Sequence, residues 1–121
     1  MFAEVKESLP ISGDDYDGEI IRQIKACALD LTKTAEIVLP GTINISRTQS
    51  AITHEWVIED TSDLTDELII KTIAVWCDKE IGNPPNYENL LRAYESLKGS
   101  LRMSKAYTHY GTDQPEEATT A

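Results

Sequence analysis

Asp14-Asp15-Tyr16-Asp17-Gly18-Glu19 is the stretch of this sequence closest to a metal-binding pattern. In a calcium loop of the helix–loop–helix type the glycine falls sixth, and oxygen donors are needed at the first and twelfth positions. With Gly18 sixth, those positions fall on Gly13 and Ile24, and neither side chain has an oxygen. The stretch reads instead as a turn, Ser12 to Asp15, that supplies an N-cap, with Asp17 and Glu19 suited to the helix dipole. The remaining chemically capable groups are scattered. His54 and His109 are the only histidines, one on an expected strand and one close to an acidic tail, and neither has a nucleophile or base at a readable spacing. Cys27 and Cys77 fall on apolar helix faces and read as small buried hydrophobes, and a zinc site would need further ligands close by. Gly41, Gly82 and Gly99 are isolated, so no phosphate-cradling loop is present. Paired carboxylates are expected by chance where 21 acids face 11 bases, and they specify nothing. The sequence therefore carries no catalytic, cofactor or metal site, and a small hydrolase built on unpaired acids is the weakest of its readings.

With 121 residues, 40% of them apolar, the chain suits one domain able to bury a modest core. No apolar run approaches the roughly 20 residues of a membrane span. The N-terminal MFAEVKESLP lacks the pattern of a secretory signal, so the protein is expected to stay in the cytoplasm where it is made. A net charge of −10 argues against an open nucleic-acid-binding surface, which needs clustered Lys and Arg. Tyr94, Tyr107 and Tyr110 accordingly read as core and docking residues rather than as platforms for bases. The charge is unevenly distributed. Glu55, Glu59, Asp60, Asp63, Asp66 and Glu67 fall within thirteen residues that hold no base, whereas Arg92, Lys98, Arg102 and Lys105 gather late against Glu95 alone. Such asymmetry reads either as two surfaces facing different partners or as a solvated acidic loop followed by a mixed helix.

The spacing predicts a short helix over 2–8, stopped by Pro10, and a long one from Tyr16 to about Ala35. The long helix buries Ile20, Ile21, Ile24, Cys27, Ala28, Leu31 and Ala35, and leaves Leu29 alone among polar residues. After the Pro40-Gly41 turn the period shortens to two. Thr42–Ser46 and His54–Glu59 read as a hairpin with its loop near Arg47–Ala51, Trp56 and Ile58 alternating with Glu55, Val57 and Glu59. A central helix opens at Asp66-Glu67 and runs to about Ile81, where Gly82-Asn83-Pro84-Pro85 ends it. A last helix runs from Tyr87 to about Leu101. The expected architecture is mainly α: a short N-terminal helix and three longer ones, with a β-hairpin inserted between the first long helix and the central one. Residues 1–110 form the domain and 111–121 an acidic tail expected to be disordered.

The central helix is the most informative element. At 100° per residue, Ile69, Ile70, Ile73, Ala74, Trp76, Cys77 and Ile81 cover nearly half its circumference, interrupted by Glu80. Leu68 and Val75, one heptad apart, form a second stripe among Lys71, Thr72, Asp78 and Lys79. A helix with two apolar faces is buried from two directions, and in so short a chain the second is expected to be another copy of the same chain.

The order FAEVKESLPISGDDYDGEIIRQIKACALDL, a strand-like insertion, then DELIIKTIAVWCDKEIGNPPNYENLLRAYESLKGSLRMSKAY resembles the head–tail connector family of tailed bacteriophages, also called head-completion or DNA-packaging adaptor proteins. The resemblance spans residues 2 to about 107. It is strongest in the opening helix–turn–helix and in the central apolar helix with Trp76, and weakest over 36–61. It implies a structural virion protein, assembled in the bacterial host cytoplasm, that forms a ring, commonly of twelve copies, below the portal protein. Such a ring extends the DNA channel and receives the next connector or tail-completion protein. Double-stranded DNA passes through without being read. On this reading Leu68 and Val75 lie at the subunit interface, and Glu55, Glu59, Asp60, Asp63, Asp66 and Glu67 line the channel or a ring face. Arg102, Met103, Lys105, Tyr107 and Tyr110 dock on the portal, from a segment expected to be mobile until it binds. The alternative is a small acidic helical regulator of a cellular protein.

Overall fold

The computed structural model of the chain describes residues 1–11, 13–82, 84–104 and 107. It is a mainly α domain with one antiparallel hairpin. Helix α1 spans Phe2–Glu7 and presents Phe2 and Val5 to the core. Helix α2 spans Asp17–Leu29 and continues as a π-helical turn, Asp30–Thr34, closed by the Ala35 amide donating to the Asp30 carbonyl. The residue before α2 is Tyr16, which makes no capping bond through its side chain. Asp14, from the turn expected to supply the cap, and Asp17, in the first helical turn as expected, both meet Lys6: its Nζ lies 2.9 Å from Asp14 Oδ1 and 2.8 Å from Asp17 Oδ1, tying α1 to the start of α2. Ile20, Ile24, Cys27 and Leu31 keep one buried line through the π turn. Glu36, at φ 57°, reverses the chain after it, in the left-handed region that costs a non-glycine residue strain.

The hairpin lies further along the chain than its alternation suggested. Strand β1 is Ile45–Gln49 and β2 is Trp56–Asp60, with Ile45 opposite Asp60 and Gln49 opposite Trp56. Arg47 is thus a strand residue, and the loop is Ser50–Glu55. Ser50 Oγ accepts from the amides of Ile52 and Thr53, which fixes the tip, and His54 turns the chain at φ 62° instead of opening β2. Thr42–Asn44 is not strand, but its pairing continues: Thr61 donates to Asn44, and Asp63 and Leu64 donate to Thr42.

Helix α3 spans Glu67–Glu80, with Asp66 as N-cap accepting from the Ile69 amide at 3.0 Å. Helix α4 spans Tyr87–Met103. Helix α3 is the centre of the domain, packed on α1, α2 and α4. Its wide face meets α1 and α2 through Ile69, Ile73 and Cys77, while Tyr94 and Leu101 of α4 complete the core. Thr72 and Lys79, assigned by pattern to a polar side, are buried with Lys79 only 5% exposed. The reason is α4. Lys79 Nζ sits 3.9 Å from the Trp76 ring centre, 5.4 Å from Tyr94 and 5.9 Å from Tyr87, with Glu80 Oε2 at 2.5 Å. The ring of Trp76 meets Tyr94 edge-on at 5.1 Å and its Nε1 donates to Gln23. Tyr94 donates to Asp30 Oδ2 at 2.5 Å, which Lys98 also reaches at 3.2 Å, so the π turn, α3 and α4 share one polar-aromatic cluster.

Two glycines separate packing from propensity. A Cβ on Gly41 would sit 2.8 Å from the Leu64 Cα, against backbone that cannot rotate away, whereas Gly99 in α4 has open space beside it. Gly41→Ala should cost on the order of 2 kcal/mol, and Gly99→Ala should add roughly 0.5–1 kcal/mol. Urea denaturation of the two variants beside wild type checks both signs.

Candidate functional site

The second stripe of α3 divides in the structure. Leu68, at the N-terminal end of the helix, is 36% exposed, whereas Val75 is half-buried and packs on the core. Between them Thr72 is covered, donating through its hydroxyl to the Leu68 carbonyl at 2.7 Å. Helix α4 of the same chain therefore occupies much of the direction that the pattern assigned to a neighbouring copy.

The acidic run is two populations. Asp60 Oδ2 accepts from the Phe2 amide at 2.7 Å and its Oδ1 accepts from Ser62, with the Met1 ammonium at 3.0 Å. Burial alone would raise its carboxyl, but these donors prevail and hold it well below the usual carboxylate range. Asp63 accepts from both the amide and the hydroxyl of Thr42, and these bonds hold its carboxyl low. Asp66 caps α3 and accepts from the Tyr107 hydroxyl; against the opposing push of burial, that bond and the helix amides depress it. These three are joints of the fold. Glu55, Glu59 and Glu67 project outward, and their carboxylates meet no partner among the described residues.

Of the five residues assigned to portal docking, Arg102 and Met103 form the exposed end of α4, with Met103 88% exposed. Tyr107 is half-buried against the core; it donates to Asp66 Oδ2 at 2.7 Å, and its carbonyl accepts from the Val38 amide. This part of the segment is held on the body by α3's own N-cap. Lys105 and Tyr110 lie outside the described residues, as does the tail 111–121.

Two surfaces escaped the sequence reading. The hairpin reaches out from the body as an arm. Its inner face carries Ile45, Arg47 and Ile58, with the Arg47 guanidinium stacked 4.2 Å from the Trp56 ring centre and its Nη1 2.8 Å from where a Cβ on Gly18 would sit. Gly18 thus leaves room for the Arg47 guanidinium beside the first turn of α2. The outer face carries Ser46, Thr48, Val57 and Glu59, and Ile52 at the tip is 89% exposed. The second surface is on α2. Leu29, 59% exposed, is not alone: with Ala28, Thr32 and Ile43 it walls an apolar hollow of about 270 Å³ edged by Lys25. The missing signal was tertiary, because Ile43 reaches Leu29 only after the chain reverses at Glu36.

The two thiols are sealed. Burial pushes Cys27 up to about 12 and Cys77 higher still, so neither is a nucleophile or a ready ligand. Among the described residues no group of three or more His, Cys, Asp or Glu is arranged to hold a metal ion. Set against known proteins, the chain matches no family model, no curated protein and no solved structure.

A carboxyl depressed in the folded state contributes stability above its unfolded value, near 3.9, and loses it as pH falls through the folded value. Asp30, Asp60, Asp63 and Asp66 are all depressed, so stability should drop as the pH goes below about 4, and Asp60→Asn should shallow that drop while lowering stability at pH 7. Urea midpoints measured from pH 7 to pH 2 test it; an acid limb unchanged by Asp60→Asn contradicts it. Separately, Leu68→Asp should shift stability by no more than about 0.5 kcal/mol, while Val75→Asp should cost on the order of 2 kcal/mol. Equal losses in thermal melts would show that α4 does not divide the stripe.

Proposed function

We propose that this chain is a ring-forming head–tail connector of a tailed bacteriophage. It sits below the portal, extends the DNA channel after packaging, and presents a platform to the next connector or tail-completion protein. The reading has no catalytic step and uses no cofactor. What supports it most is the combination of the element order with a hairpin arm that leaves Ile52, Trp56 and Val57 exposed. Apolar side chains on an arm, where they cannot add to the chain's own core, are suited to contact with another chain. A subunit with one neighbour on each side needs two different surfaces, as a heterologous ring requires.

The remaining parts take their roles from the same reading. Exposed Leu68 adds to a subunit contact, with Val75 behind it. The acidic stretch from Glu55 to Glu67 faces the channel or a ring surface, and a net charge of −10 keeps phosphates from adhering to the wall. Arg102, Met103, Lys105, Tyr107 and Tyr110 dock on the portal, which requires the Tyr107–Asp66 bond to be exchanged for portal contacts. The ring acts in the virion, at the head–tail junction.

Negative-stain electron microscopy of the protein with and without purified portal is the direct test. Rings seated coaxially on the portal are expected, and a compact dimer that ignores the portal would favour an acidic regulator instead. The free protein should also fail to retard double-stranded DNA at about 50 mM salt, where electrostatic binding is strong. A band shift that weakens as salt rises would contradict a non-adhesive channel.

A further inference from the structure

The two surfaces that the sequence reading missed match each other. Along α2 and its π turn, Lys25, Leu29 and Lys33 recur every four residues, a row of cation, apolar, cation. Each step on an α-helix rises about 6 Å. Along the outer face of β2 and the residue before it, Glu55, Val57 and Glu59 recur every two residues, a row of anion, apolar, anion. Each step on a strand rises roughly 6.6 Å. The π turn preserves the helical row, because four residues on an α-helix drift around its axis and the wider turn returns Lys33 towards the line of Lys25. Both lysines are exposed and have no carboxylate partner among the described residues, and neither glutamate has a base. Leu29 borders the hollow beside Ile43, and Val57, 48% exposed, is of a size to enter it.

We propose that the outer face of the hairpin of one copy docks on the Lys25–Leu29–Lys33 row of the next, with Val57 seated beside Leu29 and Glu55 and Glu59 paired to the lysines. The contact cannot close within one chain, because the inner face of the hairpin rests on the first turn of α2 and its outer face turns away. It is heterologous, since each copy offers a strand on one side and a helix on the other, and it therefore propagates. The occupant is a second copy because this chain itself carries the complementary row in sign, spacing and apolar centre. The inference rests on the ring reading and deepens it. It moves Glu55 and Glu59 from the channel wall to the subunit contact, leaving Glu67 as the outward glutamate of the run.

Site-directed disulfide trapping tests it, and the buried Cys27 and Cys77 leave the background low. Full-length Leu29→Cys and Val57→Cys chains should each stay uncrosslinked on mild oxidation, give a linked pair when mixed, and give a ladder beyond the dimer when one chain carries both changes. In parallel, Lys25→Glu with Lys33→Glu should weaken association at least tenfold in sedimentation velocity, and adding Glu55→Lys with Glu59→Lys to the same chain should restore it. All four charge sites are exposed, and circular dichroism confirms that each variant is folded. Wild-type rings without the disulfide or the charge rescue would overturn this contact and leave the ring reading standing. A ladder that stops at two would keep the pairing of the two rows but overturn its propagation, and with it the ring. A chain that shows neither link nor self-association overturns both.

Discussion

A short helix enclosed on three sides must place every residue it has, including the charged ones, and in α3 this puts the Lys79 ammonium inside the domain. An unpaired buried ammonium is too costly to keep, so the surroundings have to supply its solvation. They do so with aromatic faces. Trp76 from α3 and Tyr87 and Tyr94 from α4 turn their rings to it, and Glu80 supplies the counter-charge. A desolvated cation over an aromatic ring is worth about 2 kcal/mol or more. Several such contacts make α4's position conditional on the lysine and the lysine's burial conditional on α4. The dependence extends through Tyr94 to Asp30, so the π turn, the central helix and the last helix are fixed by one another. The apolar core supplies most of the burial, but this cluster sets how the helices are placed around it.

The acids show the opposite economy. In a chain of net charge −10, carboxylates that all faced water would repel one another. Asp60, Asp63 and Asp66 instead serve as acceptors for backbone amides and hydroxyls where irregular chain would otherwise leave donors unmet. Short aspartates suit this work, because their carboxyls stay close to the main chain, whereas the longer glutamates of the same run reach outward. The run therefore sorts by side-chain length, with the aspartates bonded to the chain's own amides and hydroxyls and the glutamates left without such bonds.

Much of this was legible from periodicity. The four helices are where apolar spacing and the Pro and Gly breaks put them, and the hairpin falls between the two helices it was expected to separate, because each of those signals is local. Three things were not. The strand boundaries shifted because pairing register depends on which residues meet across the hairpin, where Arg47 lies opposite Ile58. Thr72 and Lys79 read as surface because a wheel records polarity and not what lies opposite. Leu29 read as a solitary exposed leucine because its neighbour Ile43 is fourteen residues further on, across a reversal at a left-handed Glu36.

The pairing beneath the hairpin has a mechanical consequence. Hydrogen bonds between 42–44 and 61–64 carry the ladder past the ends of β1 and β2, down to Gly41, where the two backbones touch with no room for a side chain. An arm built this way has no soft joint at its root. Leverage applied at Ile52 would not be absorbed by bending but passed on, through Asp60 to the amide of Phe2 and through the segment before Asp66 to the first turn of α3. The arm is in effect a rigid handle on the central helix, and whatever takes hold of its tip gains purchase on the middle of the domain.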